Sequence, residues 1–244
     1  MLLFGAGTLA GLAGTAGGIT SLISYPALLA AGLSPLRANM TNSVAVIGNW
    51  PGSTMAARPE LQGRARHLGQ LVPVAAAGGL AGTVLLLGTP AKVFDVAVPF
   101  FLVAASIALL CQPRLATWRR RHLERSSRYL FFAGLFGVCA YDGYFGAGSG
   151  VMLLALLLIA IDEQLPRANA YKNFLLGVSD VISAVGFAVF GSVDWLAAAS
   201  VGLGALVGGA FGPRLTRRLP PGPLRVAVAL VGIGLAVKLF LSPN

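Results

Sequence analysis

The chain has 244 residues, 56% of them hydrophobic and 11% charged, with a formal net charge of +10. Its mean hydropathy is +0.79, and apolar runs follow one another to the C-terminus, which excludes a soluble domain and predicts an all-α polytopic membrane protein. The runs are long and lack period-two alternation, which excludes a transmembrane barrel; the basic balance falls in short loops, so no nucleic-acid partner is expected.

In chain order, the first apolar segment covers Leu2 to Leu33 and holds the cluster Gly14-Thr15-Ala16-Gly17-Gly18 in its middle. The uncharged start and the length of this run predict a retained membrane segment rather than a cleaved signal. A second segment spans Met40 to Ala57, followed by a loop with Arg58, Glu60, Arg64, Arg66 and His67. A third runs from Leu68 to Leu87 and a fourth from Val93 to Leu110. The polar stretch 112–128 carries six arginines and reads as a basic cytoplasmic linker between a first membrane repeat, 1–111, and a second, 129–244.

The second half repeats the plan. Tyr129 to Ile161 is a long apolar segment broken by Gly146-Ala147-Gly148-Ser149-Gly150. Asn169 to Phe190 follows, then the turn Gly191-Ser192-Val193-Asp194, then Trp195 to Phe211, a basic loop Arg214 to Arg225, and Val226 to Leu241. Small residues in the third segment of each half (Gly78, Gly79 and Gly82; Gly202, Gly204, Gly208 and Gly209) predict close helix packing in lipid. Cys111 and Cys139 lack metal-ligand spacing and read as buried small hydrophobes.

Eight plain crossings would put the two strongly basic loops on opposite faces, against the positive-inside rule. Each arm of a glycine-broken segment has roughly 12–15 residues, or about 20 Å of helix, too short for a core of about 30 Å. Two re-entrant hairpins, each followed by three transmembrane helices, bring all the basic loops to one face and make the halves inverted repeats. That topology is preferred. Eight tilted crossings are the alternative.

Broken backbone inside a membrane is tolerated where it lines a wet cavity, and helix N-termini after each break would aim amides at an anion. This marks Gly17, Gly18, Gly148 and Gly150 as candidate ligands. After each break an Arg-Ala-Asn triplet starts the next helix, giving Asn39, Thr41, Asn42 and Ser43 in one copy and Asn169, Lys172 and Asn173 in the other. Such neutral donors with one lysine suit an oxyanion, Lys172 supplying the charge. Capping accounts for one of the first four, and snorkelling is the alternative for the lysine. Asp180 and Asp142 are candidate proton carriers or structural partners of a basic group. Tyr25, Trp50 and Tyr144 read as packing or interface aromatics. No zinc-protease, phosphate-loop or acid-base set occurs, so neither an enzyme nor a metal or cofactor is expected.

These paired motifs resemble the sulfite exporter TauE/SafE family of small bacterial permeases. The resemblance covers nearly the whole chain: the glycine clusters, Pro35-Leu36-Arg37-Ala38-Asn39 with Thr41-Asn42-Ser43, Arg167-Ala168-Asn169, Gly191 to Trp195, and Leu219-Pro220 with Arg225. It implies a multi-pass inner-membrane permease moving a sulfur anion such as sulfite, thiosulfate or a sulfonate, coupled to an ion gradient. The heads of the second helices depart from the family's Ala-Thr-Ser, reading Met40-Thr41-Asn42-Ser43 and Ala170-Tyr171-Lys172-Asn173, which leaves the substrate open. The alternatives are a passive anion pore and a membrane scaffold. The coupling ion, the direction of transport and a homodimer are open.

Overall fold

A computed structural model of the chain describes all residues except 18, 57, 123–127, 161–164, 217–220 and 242–244. Side chains in 15–17, 52, 56, 58, 112–122, 159–160, 165–166, 211–216, 221–225 and 227–228 are left aside. Among the described residues every element is a helix: α1 (Leu2–Gly17), α2 (Thr20–Ala30), α3 (Pro35–Val46), α4 (Asn49–Ala56), α5 (Arg58–Leu61), α6 (Ala65–Leu87), α7 (Ala91–His122), α8 (Arg128–Tyr144), α9 (Ser149–Ala160), α10 (Leu165–Phe190), α11 (Trp195–Thr216) and α12 (Pro221–Leu241).

Both glycine clusters break their segments, between α1 and α2 and between α8 and α9. At the second break Gly146 and Gly148 adopt φ of 77° and 85°, a region where side chains with a Cβ are strained. One expectation is corrected here. The second segment is two helices, parted at Ile47–Gly48. Pro51 lacks the N–H that would bond the Ile47 carbonyl, and Trp50 N–H takes that oxygen instead, at 3.0 Å in a tighter turn. Further along, α7 continues past Cys111 to His122, so helix enters the basic stretch.

The contacts come in matching pairs: α1 packs on α11 as α8 packs on α6, and α3 with α4 packs on α11 as α10 packs on α6. Their directions follow from the residues in contact. Gly7 and Gly11 abut the backbone of Val201 and Ala205, so α1 and α11 run parallel. Thr41 lies at Asp194, Gly48 at Gly202 and Asn49 at Gly209, so α3 and α4 share that direction. Gly78 abuts Phe136 and Ala140, and Gly82 abuts Ala140 and Tyr144, which makes α6 and α8 parallel. His67 lies at Tyr171, Gly79 at Ser179 and Thr83 at Gly186, adding α10 to that set. The two sets oppose each other, since Met40 lies at Gly191 while Trp50 lies at Gly177.

Within the second break α9 turns back along α8, with Ser149 bonded to Asp142 and Leu156 against Gly134. In the first, α2 runs antiparallel to α3, Ser24 meeting Asn42, while α1 runs parallel to it. α1 and α2 therefore also form a hairpin.

Among the described residues three helices are long and apolar enough to cross a membrane: Ala65–Leu87, Ala91–Cys111 and Arg167–Phe190. Their outward faces carry exposed Leu80, Val84, Leu85, Val93, Val96, Phe100, Val185 and Val189, as lipid contact requires. The interhelical contacts depend on missing side chains. A Cβ on Gly82 would strike the Ala140 carbonyl and come 2.8 Å from the Tyr144 nitrogen, whereas one on Gly137 meets nothing within 4 Å. Gly82→Ala is expected to lower stability by about 1–3 kcal/mol and Gly137→Ala to leave it within about 0.5 kcal/mol. Melting temperatures of the two variants in detergent check this, and equal values would contradict the α6–α8 packing.

Candidate functional site

The first arms of both hairpins end at one central cavity of about 70 Å³. Its wall comes from five places: Gly14, Thr20 and Ser21 at the first hairpin tip; Val46, Asn49, Trp50 and Ser53 along α3 and α4; Asp142 on α8; Gly146, Ser149 and Gly150 at the second tip; and Lys172, Asn173, Leu176, Gly177 and Asp180 on α10. The N-termini of α2 and α9 open onto it, so two positive helix ends converge on the same space. A buried water takes roughly 10–15 Å³ on this scale, so the cavity has room for about five to seven water-sized groups.

Lys172 is 1% exposed, and its Nζ donates to Asn169 Oδ1 at 2.7 Å. Among the described residues no carboxylate lies within ion-pair distance of that ammonium. Asn169 sits one turn earlier on the same helix and holds the lysine without neutralising it. Asp142 is 7% exposed; its Oδ1 accepts from Ser149 Oγ at 2.6 Å, and Ser179 of α10 is a second hydroxyl beside its carboxylate. Ser149 Oγ also lies 2.8 Å from the Gly146 carbonyl, so the first residue of α9 ties the carboxylate to the hairpin tip. Asp180 lies two turns beyond Lys172 on the same α10 face, in the same cavity.

Of the residues expected from the sequence, Lys172, Asn173, Gly150, Asp142 and Asp180 line this cavity, and Asn169 supports it. Asn39, Thr41, Asn42 and Ser43 do not line it. Asn39 donates to the Tyr144 carbonyl at 2.8 Å, Thr41 accepts from Asp194 N–H at 3.0 Å, Asn42 accepts from Ser24, and Ser43 donates to the Asn39 carbonyl at 3.1 Å. All four are buried; Asn39, Thr41 and Asn42 knit α3 to its neighbours, and Ser43 bonds within the helix. Gly17 is the last residue of α1 and among those whose side chains are left aside, Gly148 packs against Ala105 of α7, and Gly18 lies outside the described residues.

Thr20, Ser21, Asn49, Trp50 and Ser53 are lining residues that the sequence reading did not single out as ligands. Trp50 reads as a packing aromatic, yet it lines the cavity because the Ile47–Gly48 break turns α4 toward it. Gly48-Asn49-Trp50-Pro51 was the available signal. Tyr25 and Tyr144 do pack: with Phe94, Phe101, Tyr141 and Phe145 they form an aromatic cluster beyond the cavity, at the level of the first half of α3. The exposed Arg37–Asp194 pair, 3.2 Å apart, stands on that same side.

Residues 1–239 match the sulfite exporter TauE/SafE family. The chain belongs to this family. Among relatives of this TauE/SafE protein, the probable membrane transporter protein ORF9 of Sinorhizobium sp is 28% identical over 247 residues, covering 99% of this chain and 92% of that protein. The probable membrane transporter protein YfcA of Escherichia coli K12 is 26% identical over 248 residues, 100% of this chain and 90% of that one. A probable membrane transporter protein of Haemophilus influenzae is 26% identical over 243 residues, 98% and 93% respectively. No solved structure matches the chain. This TauE/SafE protein is a membrane transporter and not an enzyme.

The second hairpin tip is held by glycine conformation and by packing at once. Gly148 has φ 85° and would bring a Cβ to 2.9 Å from that of Ala105, whereas Gly32 has φ 94° and open space around it. Both Gly148→Ala and Gly32→Ala carry the backbone penalty of about 1–2 kcal/mol. Gly148→Ala is expected to melt at a lower temperature than Gly32→Ala, and the reverse order would contradict the seating of the tip on α7.

Proposed function

We propose that the protein is an inner-membrane secondary transporter that moves a small sulfur oxyanion by alternating access, coupled to protons. The observation that carries this reading is Lys172: a buried cation without a carboxylate partner among the described residues, facing a cavity the size of a small anion. A lysine ammonium in a membrane interior is costly unless something of opposite charge meets it. Asn173, Thr20, Ser21 and Ser53 add hydrogen-bonding groups, and the helix ends of α2 and α9 add partial positive charge. The family description supports the sulfur-containing class.

The two hairpins are proposed to be re-entrant and the two halves inverted. α1 and α2 have 16 and 11 residues, or about 24 and 17 Å of helix, each short of a core of about 30 Å. The opposed directions of α1, α3, α4 and α11 against α6, α8 and α10 support the inversion, since each half's members take opposite senses. Under this topology the basic stretches 58–67, 112–128 and 214–225 face the cytoplasm together. The cavity lies along the later part of α3–α4 and the earlier part of α10, toward that basic face, and the aromatic cluster closes the other side.

Inversion gives the remaining sequence candidates a role. Asn42 and Ser43 occupy the places in the first copy that Lys172 and Asn173 hold in the second. In the state open to the opposite face, Asn39, Thr41, Asn42 and Ser43 would line the cavity while Lys172 became enclosed. Asp142 and Asp180 give the coupling. A bound oxyanion beside two carboxylates is repelled unless at least one of them takes a proton, so anion and proton are bound together.

Counterflow in proteoliposomes tests the reading. Labelled thiosulfate uptake is expected to accelerate when unlabelled thiosulfate waits inside, and Lys172→Ala to abolish it while Lys92→Ala leaves it unchanged. No acceleration, or equal effects of the two lysines, would sink the proposal. Asp180→Asn is expected to keep exchange at constant pH but to lose its response to an imposed pH gradient; a retained response would remove Asp180 from the coupling.

A further inference from the structure

Part of the cavity wall is apolar. Trp50 and Asp180 each stand thirteen residues beyond the arginine of their Arg-Ala-Asn triplet, so the two copies put an indole and a carboxyl at corresponding places. Both face the cavity. The indole lies directly on Gly177, where a Cβ would fall within the ring, and Phe174 flanks it at 6.4 Å between centroids. Its Nε1–H is buried and has no hydrogen-bond partner among the described residues. Beside it Val46 and Leu176 complete an apolar flank.

A buried N–H left unpaired costs about 1–3 kcal/mol, and this one belongs to a side chain that lines a space able to hold an acceptor. The cavity thus has a cation and an amide at Lys172 and Asn173, and an apolar flank at Val46, Leu176 and the Trp50 ring, where the indole N–H stands beside Asn49 and Ser53. Sulfate, with four equivalent oxygens, would press one or more of them against the apolar flank. A sulfur oxyanion in which one oxygen is replaced by a methyl group or a second sulfur meets both sides and has five heavy atoms.

We propose that Trp50 selects the cargo: its Nε1–H donates to one oxygen of the anion held by Lys172, and its ring, seated on Gly177, receives the non-oxygen substituent of a five-atom sulfur oxyanion such as methanesulfonate or thiosulfate. This rests on the anion-site reading above.

The test is binding of methanesulfonate, thiosulfate and sulfate to the purified full chain by titration calorimetry. Wild type is expected to bind methanesulfonate and thiosulfate more tightly than sulfate. Trp50→Phe keeps a ring and loses the donor, and should weaken methanesulfonate binding by about tenfold. Gly177→Ala leaves the indole intact but displaces it, and should erase the preference over sulfate; it serves also where Trp50→Phe fails to fold. If sulfate binds as tightly as the others in wild type, or if both variants keep wild-type affinity and preference, the assignment of Trp50 is overturned. Should that happen while Lys172→Ala still abolishes binding, the anion site stands without Trp50. No binding of any of the three by wild type would overturn both.

Discussion

An interrupted helix in the interior of a membrane protein must satisfy the backbone groups it frees, and the rest of this structure depends on how the two glycine breaks do so. Facing lipid they would have no partners; turned inward they are served by protein or by the contents of a cavity. At the second tip Ser149 N–H and Oγ both reach the Gly146 carbonyl, Tyr141 donates to the Ala147 carbonyl at 2.7 Å, and the remaining surface faces the cavity. The breaks therefore pull two hairpin tips to the centre, and the long helices are arranged around them.

Close packing keeps the tips there. α1 lies on α11 through Gly7, Gly11, Gly204 and Gly208, and α8 lies on α6 through Gly78, Gly79, Gly82 and Gly143. In each pair backbone meets backbone, so one half grips the hairpin of the other. In lipid such contacts replace the hydrophobic effect as the source of association. The same arrangement leaves α10 free to carry Lys172, Asn173 and Asp180 along one face against α3 and α4. Packing thus shapes the cavity: the glycines let seven helices converge on about 70 Å³ beside the buried Lys172.

Much of this was legible in the sequence, because glycine clusters inside apolar runs have few other uses. The breaks, the family, the small-residue packing and the interest of Lys172, Asn173, Asp142 and Asp180, which line one cavity, could be read from residue type and spacing. Two features could not. The matching Arg-Ala-Asn triplets suggest that Asn39, Thr41, Asn42 and Ser43 sit as Lys172 and Asn173 do, but the cavity lies along the later part of α3–α4 and the earlier part of α10, and depth along a helix is not encoded in a motif. Similarly, Trp50 and Ser53 reach the cavity because α3 and α4 part at Ile47–Gly48, while hydropathy reads Met40 to Ala57 as one uninterrupted run. The Pro51 that helps to set the break was visible; its consequence depended on Gly202 and Gly209 of α11 being close enough to fix α4 in place.

The central claim is that a sulfur oxyanion occupies the space between the hairpin tips and Lys172. Selenosulfate has the shape of thiosulfate with an anomalous scatterer in place of one sulfur. A crystal of the full chain soaked in it locates the anion directly. The account predicts one anomalous peak inside the cavity, within hydrogen-bonding reach of the anion's oxygens to Lys172 Nζ. A peak at a surface arginine cluster with the cavity vacant, under conditions that saturate binding in solution, would contradict it.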